Sequence, residues 1–157
     1  DMRMLPVYFV IDVSESMIGD TMRQLDEGLT KLSDTLKTIP EALETAQVSI
    51  IAFAGKAKVI TPMVGVANLY PPRLPVGGGT SLGAALELLL GRIDRDVRPS
   101  TPERKGDWKP IVFLLTDGVP TDNPTAARNM RAKQALCLFR LAGAPILRAS
   151  AIFPIRR

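Results

Sequence analysis

The apolar positions fall into runs with two different spacings. "PVYFVID" (6–12) is nearly continuous in apolar residues, the pattern of a strand covered on both faces. Next, Met22, Leu25, Leu29, Leu32, Leu36 and Ile39 recur at gaps of 3, 4, 3, 4 and 3, which puts one stripe on one helix face. Pro40 is expected to end that helix. "AQVSIIAFAG" (46–55) predicts a second buried strand, rich in β-branched residues. "KAKVITPMV" (56–64) predicts a short strand folded back on it through Ala54-Gly55-Lys56. Prolines 62, 71, 72 and 75 mark an irregular stretch. Leu82, Leu86, Leu89 and Ile93 predict another helix, entered from the glycines at 77–79. The polar segment 94–109 predicts a surface loop. "PIVFLLTDG" (110–118) predicts a third buried strand, with Pro110 at its first position, where no ladder donor is missed. Further on, 123–143 carries a diffuse stripe and is expected to be helical, and 145–153 is expected to be a strand.

Strands alternating with helices predict an α/β fold: a doubly wound, mostly parallel central sheet with helices on both faces and one short antiparallel edge strand. Ligands on such sheets sit beyond the carboxyl ends of the strands, where the strand order reverses.

Composition narrows the chemistry. A chain of 157 residues predicts a single domain over 1–157, and 46% apolar with 23% charged residues suits a globular fold. No apolar run reaches the ~18 residues that cross a bilayer. The first residues lack a secretory leader's pattern, so no membrane association is expected. One cysteine, Cys137, allows no internal disulfide and fits a reducing compartment. There is no histidine, which removes Ser-His-Asp and Cys-His catalysis and the usual zinc ligand sets. Any metal would be held by oxygen, which favours Mg2+, with Mn2+ or Ca2+ suited to the same donors.

Charge is unevenly distributed. Residues 1–122 hold 13 basic and 16 acidic residues, a net of −3, whereas 123–157 hold 7 basic and no acidic residues. A basic tail raises the question of nucleic acid. Only Phe139 and Phe153 interleave with its cations, which argues against that partner.

Three segments at strand ends or helix starts carry oxygen side chains: Asp12-x-Ser14-x-Ser16, Thr80 in "GGGTSLG", and Asp117 in "LLTDG". Each has an ordinary explanation. Ser14 or Ser16 is a natural cap for the helix that follows, Thr80 for the helix at Leu82, and Asp117-Gly118 a plain turn. Together, in this order and at these element ends, they predict a hard-cation site. Alternate spacing in an extended loop would put Asp12, Ser14 and Ser16 on one side of the chain.

The combination resembles the von Willebrand factor type A (VWA) domain and its metal-ion-dependent adhesion site (MIDAS), over residues 6–122. The resemblance implies Ser14, Ser16 and Thr80 as direct ligands, with Asp12 and Asp117 acting directly or through water. It implies a binding module in which a partner's Glu or Asp completes the ion's shell. Glu15 stands between the serines, where relatives often have glycine. "LPVYFVIDVSESMIG", "ALETAQVSIIAFAGKAKVITPM" and "WKPIVFLLTDGVPTD" are also similar to the bacterial tellurium-resistance TerY-type proteins. That narrower resemblance implies a cytoplasmic stress-response protein whose partner is a kinase or a PP2C-type phosphatase. The VWA resemblance fades after about Pro124, where relatives continue with another strand, an acidic helix and a final strand. A truncated or atypical C-terminus would expose a sheet edge and favour self-association.

The alternative is a Mg2+-dependent phosphatase or phosphotransfer enzyme on a similar fold. An Asp after the first strand is similar to the haloacid-dehalogenase phosphatases, which place a second aspartate two positions after the nucleophile, and here that position is Ser14. The glycines at 77–79 do not form a nucleotide-binding motif.

Overall fold

The computed structural model describes residues 2–116 and the four-residue strand 137–140. The chain forms β1 (Leu5–Asp12), α1 (Asp20–Lys37), α2 (Pro40–Thr45), β2 (Ala46–Phe53), β3 (Ala57–Gly65), α3 (Leu82–Asp96), β4 (Ile111–Thr116) and β5 (Cys137–Arg140). Short 3-10 turns occur at Glu15–Met17 and Val66–Asn68. The sheet order is β3-β2-β1-β4-β5. β1 pairs in parallel with β2 and β4, β4 pairs in parallel with β5, and β3 is an antiparallel edge strand. This is the mixed α/β sheet expected from the run spacing.

The pleat sends alternate residues of each central strand to opposite faces, and each face has its own core. Phe9, Ile11, Val48, Ile50 and Ala52 pack with Leu25 and Leu29 of α1 and Ala42 of α2. Tyr8, Val10, Ile51, Phe53, Val112 and Leu114 pack with Ala85, Leu86, Leu89 and Ile93 of α3. Phe9 and Phe113, opposite each other in the β1–β4 register, stack at 5.1 Å between ring centroids. Burial on both faces explains why these strands carry unbroken apolar runs. Among the described residues, no helix is long and apolar enough to cross a membrane.

Three local expectations change. Pro40 does not simply end α1. It opens α2, taking a first-turn position where its missing N–H costs nothing. The loop expected over 94–109 begins later, because α3 runs on to Asp96, and the surface loop that follows is pinned. The Asp107 carboxylate accepts hydrogen bonds from the backbone N–H of Met4 (3.1 Å) and of Arg98 (2.9 Å). Trp108 N–H donates to the Met4 carbonyl at 2.9 Å, and the Arg3 guanidinium lies 3.8 Å above the Trp108 ring. Finally, within the helix expected over 123–143, residues 137–140 are strand β5. A short apolar run such as "ALCLF" does not separate helix from buried strand, and the free edge of β4 decided it. The strand expected over 145–153, and so the exposed edge, lies outside the described residues.

The glycines before α3 set how closely that loop approaches the sheet. Gly79 has φ +84°, a conformation that glycine adopts without steric cost. Gly55 N–H donates to the Gly78 carbonyl at 2.6 Å, and a methyl on Gly55 would lie 2.6 Å from that same oxygen. Gly55→Ala is therefore expected to destabilise by about 1–3 kcal/mol, the range for forcing an extra carbon into packed structure. In the exposed interior of α1, Gly28→Ala meets nothing within 4 Å and should stabilise by about 0.5–1 kcal/mol. Denaturant melts of the two variants in one buffer check the opposite signs.

On the α3 face, the buried Tyr8 hydroxyl donates to Asp96 Oδ2 at 3.2 Å. Burial, then the Asp96 charge and hydrogen bond, push its pKa well above the ordinary 10.0, against a smaller opposing effect of Arg92. The folded state thus holds the phenol proton more tightly than the unfolded chain does. This contribution is fully present below pH 10 and is lost as pH rises toward the folded-state value. Tyr8→Phe should lower stability near neutral pH by about 1 kcal/mol and flatten its decline above pH 10. Urea melts on both sides of that pH read the difference, and equal slopes in the two proteins count against it.

Candidate functional site

β1 lies between β2, which follows it in the chain, and β4, which joins it from the other side after α3. The order reverses there, so the carboxyl end of β1 is the switch point at which α/β sheets leave a crevice. Asp12 is the last residue of β1 and is fully buried. Its Oδ1 accepts a hydrogen bond from Ser14 N–H at 2.9 Å. Its Oδ2 accepts one from the Thr116 hydroxyl, at the end of β4, at 2.7 Å. The carboxylate is thereby clamped across the β1–β4 pair. An ionised carboxylate has about four acceptor positions, and two remain. Among the described residues no lysine or arginine ion-pairs with Asp12, so its burial is a desolvation cost that a cation would offset.

Beyond Asp12 the backbone stays extended only to Ser14 (φ −64°, ψ 164°) and then turns into the 3-10 segment Glu15–Met17. The expectation of a wholly extended loop is corrected here. The buried Met17 draws the chain down into the core and curls it. The two serines still share one side, with the Ser14 and Ser16 hydroxyl oxygens 3.0 Å apart. Ser14 is the N-cap residue of the turn, yet its hydroxyl makes no cap hydrogen bond. Neither does α1 depend on these serines, since its N-cap is Gly19. The residue capping α3 is Ser81 rather than Thr80, and it too makes no side-chain cap bond. The capping explanation of these hydroxyls therefore fails in the fold.

The glycine loop is laid against the same edge. Ser14 and Gly77 form an isolated parallel bridge, with Gly77 N–H donating to the Val13 carbonyl at 3.0 Å. Ser81 N–H donates to the Ala54 carbonyl at 2.6 Å, just beyond β2. These bonds hold Thr80, itself buried, in the loop stitched to the ends of β1 and β2. Asp117 follows Thr116 directly in sequence but lies outside the described residues.

A hard divalent cation fits this donor set. Octahedral oxygen ligands at about 2.0–2.1 Å from Mg2+ leave neighbouring oxygens about 3.0 Å apart. The two serine hydroxyls already stand at that separation. Among the described residues no group of three carboxylate, histidine or cysteine side chains forms a metal cluster. A concavity of about 690 Å³ lies at the opposite end of these strands, between Leu5 and Ile111 at the amino ends of β1 and β4.

Sequence reasoning missed Thr116, which it treated only as a strand residue. A hydroxyl at the end of an apolar strand is a weak signal. It gains meaning only from the β1–β4 adjacency, with Ile11 paired to Leu115 one step before Asp12.

Residues 7–119 match the family model described as "von Willebrand factor type A domain". The chain is similar to inter alpha-trypsin inhibitor heavy chain 4 of Mus musculus, at 31% identity over 134 residues covering 78% of this chain and 13% of that protein. It therefore spans about an eighth of that relative's length. Its fold resembles an aerotolerance-related membrane protein from Bacteroides fragilis carrying multiple mutations to serines. The TM-score is 0.62 at 21% identity, covering 92% of this chain and 73% of that one. Proximal thread matrix protein 1 from the mussel byssus, with a zinc-occupied MIDAS motif, gives a TM-score of 0.61 at 16% identity, covering 90% and 37%. With that family model spanning β1 through β4 and both Ser14 and Ser16, the chain belongs to the von Willebrand factor type A domain family.

Proposed function

We propose that this domain is a metal-dependent protein-binding module that docks a Glu or Asp of a partner protein at the carboxyl end of β1. The observation that carries this reading is the pair of serine hydroxyls 3.0 Å apart, beside a buried, clamped carboxylate at the switch point of the sheet. Ser14, Ser16 and Thr80 would hold the ion, with Asp12 and Asp117 beside it. Mg2+ is the expected ion, and Mn2+ or Ca2+ would suit the same oxygens. When bound, the ion supplies positive charge and an open coordination position for an external carboxylate.

The residues favour docking over turnover. Neutral hydroxyls leave most of a cation's charge uncancelled, so an arriving acid is strongly attracted. Both oxygens of Asp12 are engaged by Ser14 and Thr116, which makes it a positioning group rather than an exposed nucleophile. Ile18 and Val76 are 60% and 52% exposed on the segments that carry Ser16 and Gly77, giving a partner apolar surface to cover. The mussel protein of the same fold is described with zinc in a MIDAS motif. The similarity to TerY-type proteins extends the proposal to a cytoplasmic stress-response role, with a kinase or PP2C-type phosphatase as partner.

Titration with Mn2+, followed by electron paramagnetic resonance, tests the site directly. Wild type should bind one ion saturably, and the Ser14→Ala/Ser16→Ala double variant should lose that binding while keeping its melting transition. Equal Mn2+ affinity in the two proteins would end the reading. Thr116→Val, which frees Asp12 Oδ2, should weaken Mn2+ binding by about 10-fold, as loss of an outer hydrogen-bond partner does at metal sites. Capture of an acidic peptide should require Mg2+ and be reversed by chelator.

A further inference from the structure

The residue between the two serines has no part in holding them together. Ser14 and Ser16 turn their hydroxyls toward each other, while Glu15 Oε1 lies near Gly78. Glu15 is exposed, and it reaches over the glycine loop: a methyl on Gly78 would lie 3.6 Å from Glu15 Oε1. Gly78 has no side chain to cover it. Among the described residues no cation forms an ion pair with Glu15. The arginine nearest along the chain, Arg23, is committed to Asp20 (3.1 Å) and Glu27 (3.3 Å). A negative charge thus stands on the rim between the serine turn and the glycine loop, beside the place where an acid would dock.

This has a consequence for the partner, and it rests on the docking reading above. A lone carboxylate entering the site is drawn to the ion but repelled by Glu15. A carboxylate followed or preceded by a lysine or arginine brings its own counter-charge to Glu15 at little desolvation cost. Discrimination by such an unfavourable charge is a common route to specificity. We infer that Glu15 makes the docking site selective for protein segments in which the acidic residue is adjacent to a basic one. Since Glu15 is at the rim, its effect should be screened by salt.

The test uses three fluorescent peptides identical except beside their single glutamate, where they carry lysine, alanine or glutamate. Binding is measured in Mg2+ at low and high ionic strength. Wild type should prefer the lysine peptide over the alanine peptide by about five-fold at low salt, with the glutamate peptide weakest and the spread shrinking in high salt. Glu15→Gln should bring the three peptides together while its Mn2+ affinity stays within about three-fold of wild type. The exposed Glu44→Gln in α2 should leave the spread unchanged. An unchanged spread in Glu15→Gln overturns the inference alone. So does a large loss of Mn2+ affinity with the spread intact, which would make Glu15 a cation holder instead. If no peptide binds wild type in a Mg2+-dependent way, the docking reading falls and this inference falls with it.

Discussion

The carboxylate of Asp12, held between the Ser14 N–H and the Thr116 hydroxyl, is the contact on which the rest of the site depends. It ties the loop after β1 to the end of β4, two segments more than a hundred residues apart in sequence. Buried at the edge of both cores, it can neither rotate freely nor leave for solvent. That rigidity places the serine turn, and the buried Met17 anchors the turn from below. The Ser14 and Ser16 hydroxyls depend on such support for their position relative to each other.

The fold supplies that support from both faces of the sheet. α1 and α2 cover one side and α3 the other, so β1 and β4 are fixed in register through the stacked Phe9 and Phe113. At the far edge, Asp107 binds the N-terminal segment to the loop ahead of β4, which holds the amino ends of the same two strands. Both ends of the β1–β4 pair are therefore secured by a carboxylate accepting backbone or hydroxyl hydrogen bonds. At the amino end Arg98 stands 3.4 Å from Asp107, whereas at the carboxyl end Asp12 has no such companion among the described residues.

Much was legible in the amino-acid order alone. Continuous apolar runs marked β1, β2 and β4 because burial on both faces imposes them, and the 3–4 gaps marked α1 because one helical stripe must face the sheet. The antiparallel return of β3 followed from a tight turn at Gly55. The oxygen-bearing residues stood at element ends, where open sheets present ligands, so Asp12, Ser14, Ser16 and Thr80 were visible as candidates. Their ordinary alternative as caps was equally visible.

Only the tertiary structure removed the capping alternative for Ser14, Ser16 and Thr80. Capping depends on where the helices begin, and α1 and α3 begin at Asp20 and Leu82, which leaves Ser14, Ser16 and Thr80 outside their cap positions. The role of Thr116 depends on which strand lies beside β1, and β5 depends on an available edge of β4. None of these is a local property. The order of residues determined which segments become strands and helices, because burial periodicity is written along the chain. It did not determine which hydroxyl faces which carboxylate, because that follows from strand neighbours brought together across a hundred residues.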